Sequence, residues 1–214
     1  MSFSLNEVDA MAKKATRGCG YSWGMAEEAG FATRWLSAHC LDGVKALALA
    51  LEQADGADLE QMKPTGLQDP WQAESGSLCA LMAGASIADS PKLWAANGLR
   101  LQAVNVPLLV LPFVAQAAQR LGAVVTVHWE GVSAVFENDA VSLKTANSNS
   151  LFTPVTEMTV NTGGQIGAPL SNQSRATPRP EDWRFLSGLA ARTYAPATED
   201  SRRKGAGAGL ADND

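Results

Sequence analysis

Hydrophobic residues in the first 55 positions recur at the spacing of amphipathic helices. A first helix is predicted to begin after Ser4, which together with Glu7 fits the S-x-x-E capping box, where each side chain accepts a hydrogen bond from the other residue's backbone N–H. Its apolar face consists of Leu5, Val8, Ala12 and Ala15. Ser22 is the predicted N-cap of a second helix running to about Leu41, and Asp42 that of a third.

From residue 77 onward the pattern changes to that of β-strands. Alternating or continuous apolar runs predict strands at 77–85, 99–104, 123–129, 132–137, 140–144 and 155–161. Glu130-Gly131 and Asn138-Asp139 are turn sequences that would join three of these strands into a meander. A short helix is predicted over 113–121 and a last one over 183–194, with Asp182 as its candidate cap.

Helices followed by antiparallel hairpins indicate the α+β class: an N-terminal helical segment of three helices, then a mainly antiparallel sheet with one or two short helices. We predict a single domain over 1–214. It comprises a helical part (1–55), a connecting segment (56–76), an α+β part (77–198) and a Gly/Ala-rich tail (199–214). Met62, Leu67 and Trp71 give the connecting segment apolar side chains to bury, which favours an ordered loop over a flexible linker.

Composition and charge narrow the classes of function. The chain has 214 residues, 46% of them hydrophobic, and a formal net charge of −5. A mildly acidic surface attracts phosphate backbones and anionic membranes poorly, so neither nucleic acid nor membrane is an expected partner. The N-terminus has no apolar signal core, and the longest apolar stretch is far shorter than the roughly 20 residues of a membrane helix. We therefore expect a soluble, cytoplasmic protein.

Cysteine and histidine are too few and too dispersed to indicate a metal cage. Three cysteines (Cys19, Cys40 and Cys79) and two histidines (His39 and His128) are present, without a CxxC motif. A disulfide framework or a structural zinc site would need more ligands at closer spacing. No metal site is predicted, and no sequence pattern indicates which cofactor, if any, is bound.

The second helix carries the first candidate site. Opposite its apolar stripe lie Trp23, Glu27, Gly30 and Arg34. One interpretation makes Glu27 an acid/base group and Arg34 an anion anchor, both catalytic, with Trp23 binding substrate. The alternative is a packed helix or subunit interface whose charges pair elsewhere. Gly30 suggests the close approach of another backbone or of a ligand.

Five further residues, at three places in the chain, are weaker candidates for a site. His128 and Glu130 are predicted to share one face of a strand and could share a proton or a metal, but the solvated face of a hairpin is the simpler interpretation. His39 and Cys40 are adjacent at a helix end, where their side chains diverge. Cys79 is expected to be a buried core thiol in an apolar strand rather than a nucleophile.

The C-terminal segment is unusual in composition. Arg202 and Arg203 precede the alternating sequence GAGAGLADND. A frayed tail is one interpretation. The other is a segment that packs against the body, where its small residues permit close approach and Arg202 and Arg203 bind substrate.

The opening SLNEVDAMAKKATRGCGYSWGMAEEAGFATRWL and the ending ARTYAPATEDSRRKGAGAGLADND resemble a bacterial, mainly alphaproteobacterial, family known only as a domain of unknown function (DUF3726-like). The resemblance spans the whole chain. It implies that 214 residues form a complete protein and that the GAGAGLADND ending belongs to the folded unit. It implies no activity, cofactor or catalytic residue.

Two main hypotheses of function follow. The first is a small cytosolic protein of small-molecule metabolism, an enzyme or an accessory subunit, whose site combines the segment 21–34 with 202–214. The second is a non-catalytic interaction protein that uses the second helix as the face of a homo-oligomer. A ligand-binding regulator is a third alternative. A pocket formed by Glu27, Arg34 and Arg202 would favour the first, and a flat exposed patch the second.

Overall fold

A computed structural model describes residues 1–194 of the chain. Its seven helices are α1 (Leu5–Gly18), α2 (Trp23–Ala38), α3 (Gly43–Ala54), α4 (Ala80–Asp89), α5 (Pro91–Trp94), α6 (Leu111–Leu121) and α7 (Pro180–Ala191). Its seven strands are β1 (Phe3–Ser4), β2 (Leu99–Val104), β3 (Val125–Trp129), β4 (Val132–Glu137), β5 (Ala140–Thr145), β6 (Val155–Thr162) and β7 (Arg175–Ala176). The α+β prediction, with N-terminal helices before an antiparallel sheet, is confirmed.

The first three helices begin at the N-cap residues that the sequence predicts. Ser4 and Glu7 form the reciprocal capping box of α1. Ser22 accepts a hydrogen bond from the backbone N–H of Met25 at the start of α2, and Asp42 from that of Lys45 at the start of α3. Each cap satisfies a backbone donor that the first turn of a helix leaves without a partner.

Five antiparallel strands form the main sheet, in the order β2-β6-β3-β4-β5. Its inner face carries the apolar side chains of the alternating pattern, such as Val125, Val127 and Phe136, and α6 packs against it. Helices and inner sheet face share one continuous core of buried side chains. The other face of the sheet, called the outer face below, carries the polar residues of the same strands.

The predicted strand at 77–85 is wrong, because residues 80–89 form helix α4. A short apolar run of this length fits a buried helix as well as a strand. A contact distant in sequence favours the helix here: Asn105 Oδ1 accepts a hydrogen bond from the backbone N–H of Ala80 at 3.0 Å and so caps α4. Cys79 is therefore the residue before a helix and not part of a strand.

Other elements differ from the prediction in detail. Met62 and Trp71 of the connecting segment are buried as expected, but Leu67 is exposed. Trp71 extends the sheet edge through a bridge to Leu101 of β2. The last helix begins at Pro180, so Asp182 lies in its first turn, where it accepts two hydrogen bonds from Arg179 rather than capping the helix. Among residues 1–194, no helix is both long and apolar enough to cross a membrane.

Candidate functional site

Three of the four residues predicted on this side of α2 face solvent. Trp23 is 66% exposed, and Glu27 and Arg34 are exposed as well. Neither charge forms an ion pair with another residue of the described chain. We call Trp23, Glu27 and Arg34 the α2 strip. Their assignment to a site stays a prediction.

Gly30 lies apart from the α2 strip, because it is buried against α1. A Cβ atom at this position would come within 2.8 Å of Asp9 Oδ1 and within 2.7 Å of Lys13 Cγ. Asp9 and Lys13 form an ion pair one helical turn apart. The close approach that the sequence suggested at Gly30 is therefore made by side chains of a neighbouring helix. Helix α2 also contacts α6, where Phe31 meets Phe113 edge to face, so α2 is buried on more than one side.

The second half of the predicted α2 site, Arg202 and Arg203 with the GAGAGLADND segment, lies outside the described residues. The described chain ends at Tyr194, whose hydroxyl accepts a hydrogen bond from Lys14 of α1 at 3.2 Å. One turn further along α1, the Arg17 guanidinium lies 4.8 Å from the centre of the Trp23 ring. The side chains of Tyr194 and Trp23 thus contact neighbouring turns of α1.

The thiol of Cys79 is buried in the core. Its sulfur lies 3.4 Å from the Tyr21 hydroxyl, and both side chains are almost completely buried. Burial raises the pKa of the Cys79 thiol, because a thiolate would lose its hydration there. A protonated, inaccessible sulfur is a poor nucleophile, so the core interpretation of Cys79 is the one that its surroundings support.

A row of polar residues crosses the outer face of the sheet. Thr159 of β6 pairs with His128 of β3, His128 with Ser133 of β4, and Ser133 with Lys144 of β5. Neighbouring strands lie about 4.8 Å apart, so the row places Ser133 between an imidazole and an ammonium group. His128 and Lys144 are exposed. Glu130 lies in the turn after β3, so it does not continue the face of that strand.

A second chain segment turns this part of the outer face into a concavity. After β6, the chain passes over β3 and β5 and is held to both strands by hydrogen bonds. The Thr126 hydroxyl donates to the Gly163 carbonyl at 2.6 Å, and the Gly167 N–H donates to Ser142 Oγ at 3.0 Å. Gly164 lies so close to Thr126 that a Cβ atom would overlap the Thr126 hydroxyl, and its φ of +118° favours glycine. Two hydroxyls of the sheet therefore hold this segment as a wall.

The resulting concavity has a volume of about 380 Å³. We call it the outer-face pocket; it is lined by Thr126, His128, Ser133, Val135, Ser142, Lys144, Asn161 and residues 162–165. Hydroxyl, amide, imidazole and ammonium groups are present, but no carboxylate lines the pocket. Lys144 has no acidic partner within 4.0 Å in the described part of the chain.

These groups favour a negatively charged ligand. An ammonium group without a partner attracts an anion, and neighbouring hydroxyl and amide groups can donate hydrogen bonds to its oxygens. The pocket is open to solvent, which weakens each charge interaction, so several donors must act together.

Sequence reasoning found one residue of this pocket and missed its partners. The alternation along β3 identified His128, and its interpretation as part of a solvated hairpin face describes its exposure correctly. Lys144 and Ser133 have no distinctive local pattern, because they meet His128 only through strand pairing. The Gly163-Gly164 pair was a signal of close backbone approach, but it did not indicate which strand the loop would approach.

Comparisons with known proteins bear on the helical part of the chain. Residues 3–79 match the model of a family described as "Protein of unknown function (DUF3726)". The comparison with curated proteins gave no match. The matched range contains α1 to α3 and the connecting segment, and it ends before the strands of the outer-face pocket. The N-terminal part of this chain is thus similar to a family of unknown function, which confirms the resemblance predicted from the opening segment, and the resemblance of the C-terminal ending stays a prediction.

Proposed function

We propose that the protein binds a small anionic metabolite, one with a carboxylate or phosphate group, in the outer-face pocket. In this proposal it acts in small-molecule metabolism as a ligand-binding regulator or accessory protein. The observation that carries the proposal is Lys144, which lines a pocket without carboxylates and has no acidic partner in the described chain.

The arrangement supports binding more strongly than chemistry. Ser133 lies between His128 and Lys144 by strand register, at a spacing that suits three contacts to one ligand group. The pocket is shallow and open, whereas catalysis usually needs reacting groups held in a water-excluded site. Two hydroxyls that could otherwise reach a ligand, those of Thr126 and Ser142, already hold the crossing segment.

Isothermal titration calorimetry with inorganic phosphate and with succinate, at constant ionic strength, tests this proposal. We expect saturable binding of at least one of the two anions and a loss of about tenfold or more in affinity for Lys144→Ala. Lys92→Ala is the matched control, since Lys92 is an exposed lysine on α5, outside the pocket. Absence of saturable binding to both anions, or equal losses in both variants, would refute the proposal.

An assembly function is the second candidate, and the exposure of Trp23 favours it. A tryptophan that is 66% exposed, with the Arg17 guanidinium over its ring, resembles the aromatic and arginine anchors of protein interfaces. Light scattering across a concentration series tests this alternative. A concentration-dependent dimer that Trp23→Ala abolishes would support it, and a monomer at all concentrations would exclude self-association through Trp23.

A further inference from the structure

A second cleft lies on the other side of the β4–β5 hairpin. It has a volume of about 250 Å³ and is formed where the C-terminal end of α2, the helix α6 and the hairpin turn meet. Its polar lining includes His39, Gln119, Asn138, Asp139 and Asn172, and its aromatic lining Trp35 and Phe136. It shares no lining residue with the outer-face pocket.

The His39 ring is held in one orientation and one tautomer. Its Nδ1 atom lies 2.8 Å from the backbone carbonyl oxygen of Trp35. A carbonyl oxygen can only accept a hydrogen bond, so Nδ1 carries the proton and Nε2 of the neutral ring keeps a lone pair. The Trp35 ring lies against the imidazole, with 3.9 Å between centroids. His39 therefore offers a hydrogen-bond acceptor at a fixed position.

Asp139 supplies a negative charge to the same cleft. Its Oδ1 atom accepts a hydrogen bond from Gln119 Nε2 at 2.8 Å, which leaves Oδ2 for another donor. No lysine, arginine or histidine nitrogen lies within 4.0 Å of this carboxylate among residues 1–194. The Asn138 and Asn172 side chains add amide oxygens as further acceptors.

Acceptors and one carboxylate, beside the partly exposed ring of Trp35, together complement a cation that carries N–H groups. A tryptophan ring also favours a cationic neighbour over an anionic one. A protein metal site usually needs three or more ligands, and the described part of the chain contains no cluster of three His, Cys, Asp or Glu side chains suited to a metal. An organic cation needs no such cluster.

We propose that this cleft is a binding site for a small organic nitrogen cation, a guanidinium or primary ammonium compound. Asp139 balances its charge, and His39 Nε2 accepts one of its N–H groups. The site is independent of the anion site on the outer face.

NMR spectroscopy of ¹⁵N-labelled protein tests the proposal with agmatine and methylammonium as probes. Long-range ¹H–¹⁵N spectra of the neutral imidazole should show the Nδ1–H tautomer for His39. Titration with at least one probe should shift the resonances of His39, Asn138 and Asn172 saturably. Inorganic phosphate should leave these three residues unchanged.

Three variants separate a binding role from a structural one. Asp139→Asn keeps the shape and the bond from Gln119 but removes the charge, so it should weaken binding of the probe about tenfold while the melting temperature changes little. His39→Ala should weaken binding as well, and His128→Ala, the matched histidine control, should not. An Nε2–H tautomer for His39, no saturable shift with either probe, or undiminished binding by Asp139→Asn would overturn the proposal.

Discussion

The outer face of the sheet and the α2 strip are both polar, exposed surfaces, and the outer face carries a pocket that a second chain segment walls in. On α2, Trp23, Glu27 and Arg34 project from one helix into solvent. On the sheet, four strands place their side chains in rows and the segment after β6 adds a wall, fixed by Thr126 and Ser142. Polar residues become a candidate site here because a second chain segment encloses them.

A glycine substitution in the segment that forms the pocket wall should cause the largest difference in stability between the two regions. Gly164→Ala should reduce the free energy of unfolding by about 1–3 kcal/mol and weaken anion binding, because the new methyl group overlaps Thr126 and the residue has a φ of +118°. Gly24→Ala, at the start of α2 with open space around it, is the matched control. It should be neutral or stabilising by less than about 1 kcal/mol. Urea denaturation of both variants measures the difference, and similar losses in both would contradict it.

Removing one positive charge from each region tests which of the two binds the anion. Lys144→Ala should lower the affinity for an anionic ligand about tenfold, because Lys144 lines the pocket. Arg34→Ala should leave that affinity unchanged, since Arg34 projects from the α2 strip. Calorimetry at low and high salt measures both values. A greater loss of affinity for Arg34→Ala than for Lys144→Ala would indicate that the anion binds at α2 instead.

The hydroxyl that holds the wall should contribute a smaller amount. Thr126→Val removes the bond to the Gly163 carbonyl, which should cost about 1 kcal/mol of stability. Thr159→Val changes a threonine on the next row of the same face and should cost less than about 0.5 kcal/mol. Thermal unfolding compares the two. Equal costs would mean that the crossing segment does not depend on Thr126.

Trp23 should contribute little to stability. Because its side chain is 66% exposed and its ring contacts the Arg17 guanidinium, Trp23→Ala should cost less than about 1 kcal/mol. Urea denaturation measures this value. A much larger loss would mean that the α2 strip is covered in solution, by a second copy or by residues after 194.

Local sequence signals predicted most of the fold. Ser4 with Glu7, Ser22 and Asp42 indicated three helix starts, because a cap depends on residues within one turn. The alternation of β3 and β4 predicted both strands and the buried face of the sheet. The error at 77–85 arose where the deciding contact, from Asn105 to the start of α4, is distant in sequence.

The candidate site was much less predictable than the fold. Trp23, Glu27 and Arg34 were selected because they share a helix face, but a shared face does not indicate whether anything encloses it. His128, Ser133 and Lys144 come together through strand register, and residues 163–167 reach them by a path that no local pattern specifies. A pocket built from several elements depends on tertiary contacts that a single sequence does not reveal.

Mapping the bound anion by NMR tests the central claim most directly. In ¹H–¹⁵N spectra recorded during titration with inorganic phosphate and succinate, saturable shifts should concentrate at Ser133, Lys144 and Gly163 to Gln165, and Lys144→Ala should remove them. Saturable shifts centred on Glu27 and Arg34, or no saturable shift anywhere with either anion, would contradict the assignment of the outer-face pocket.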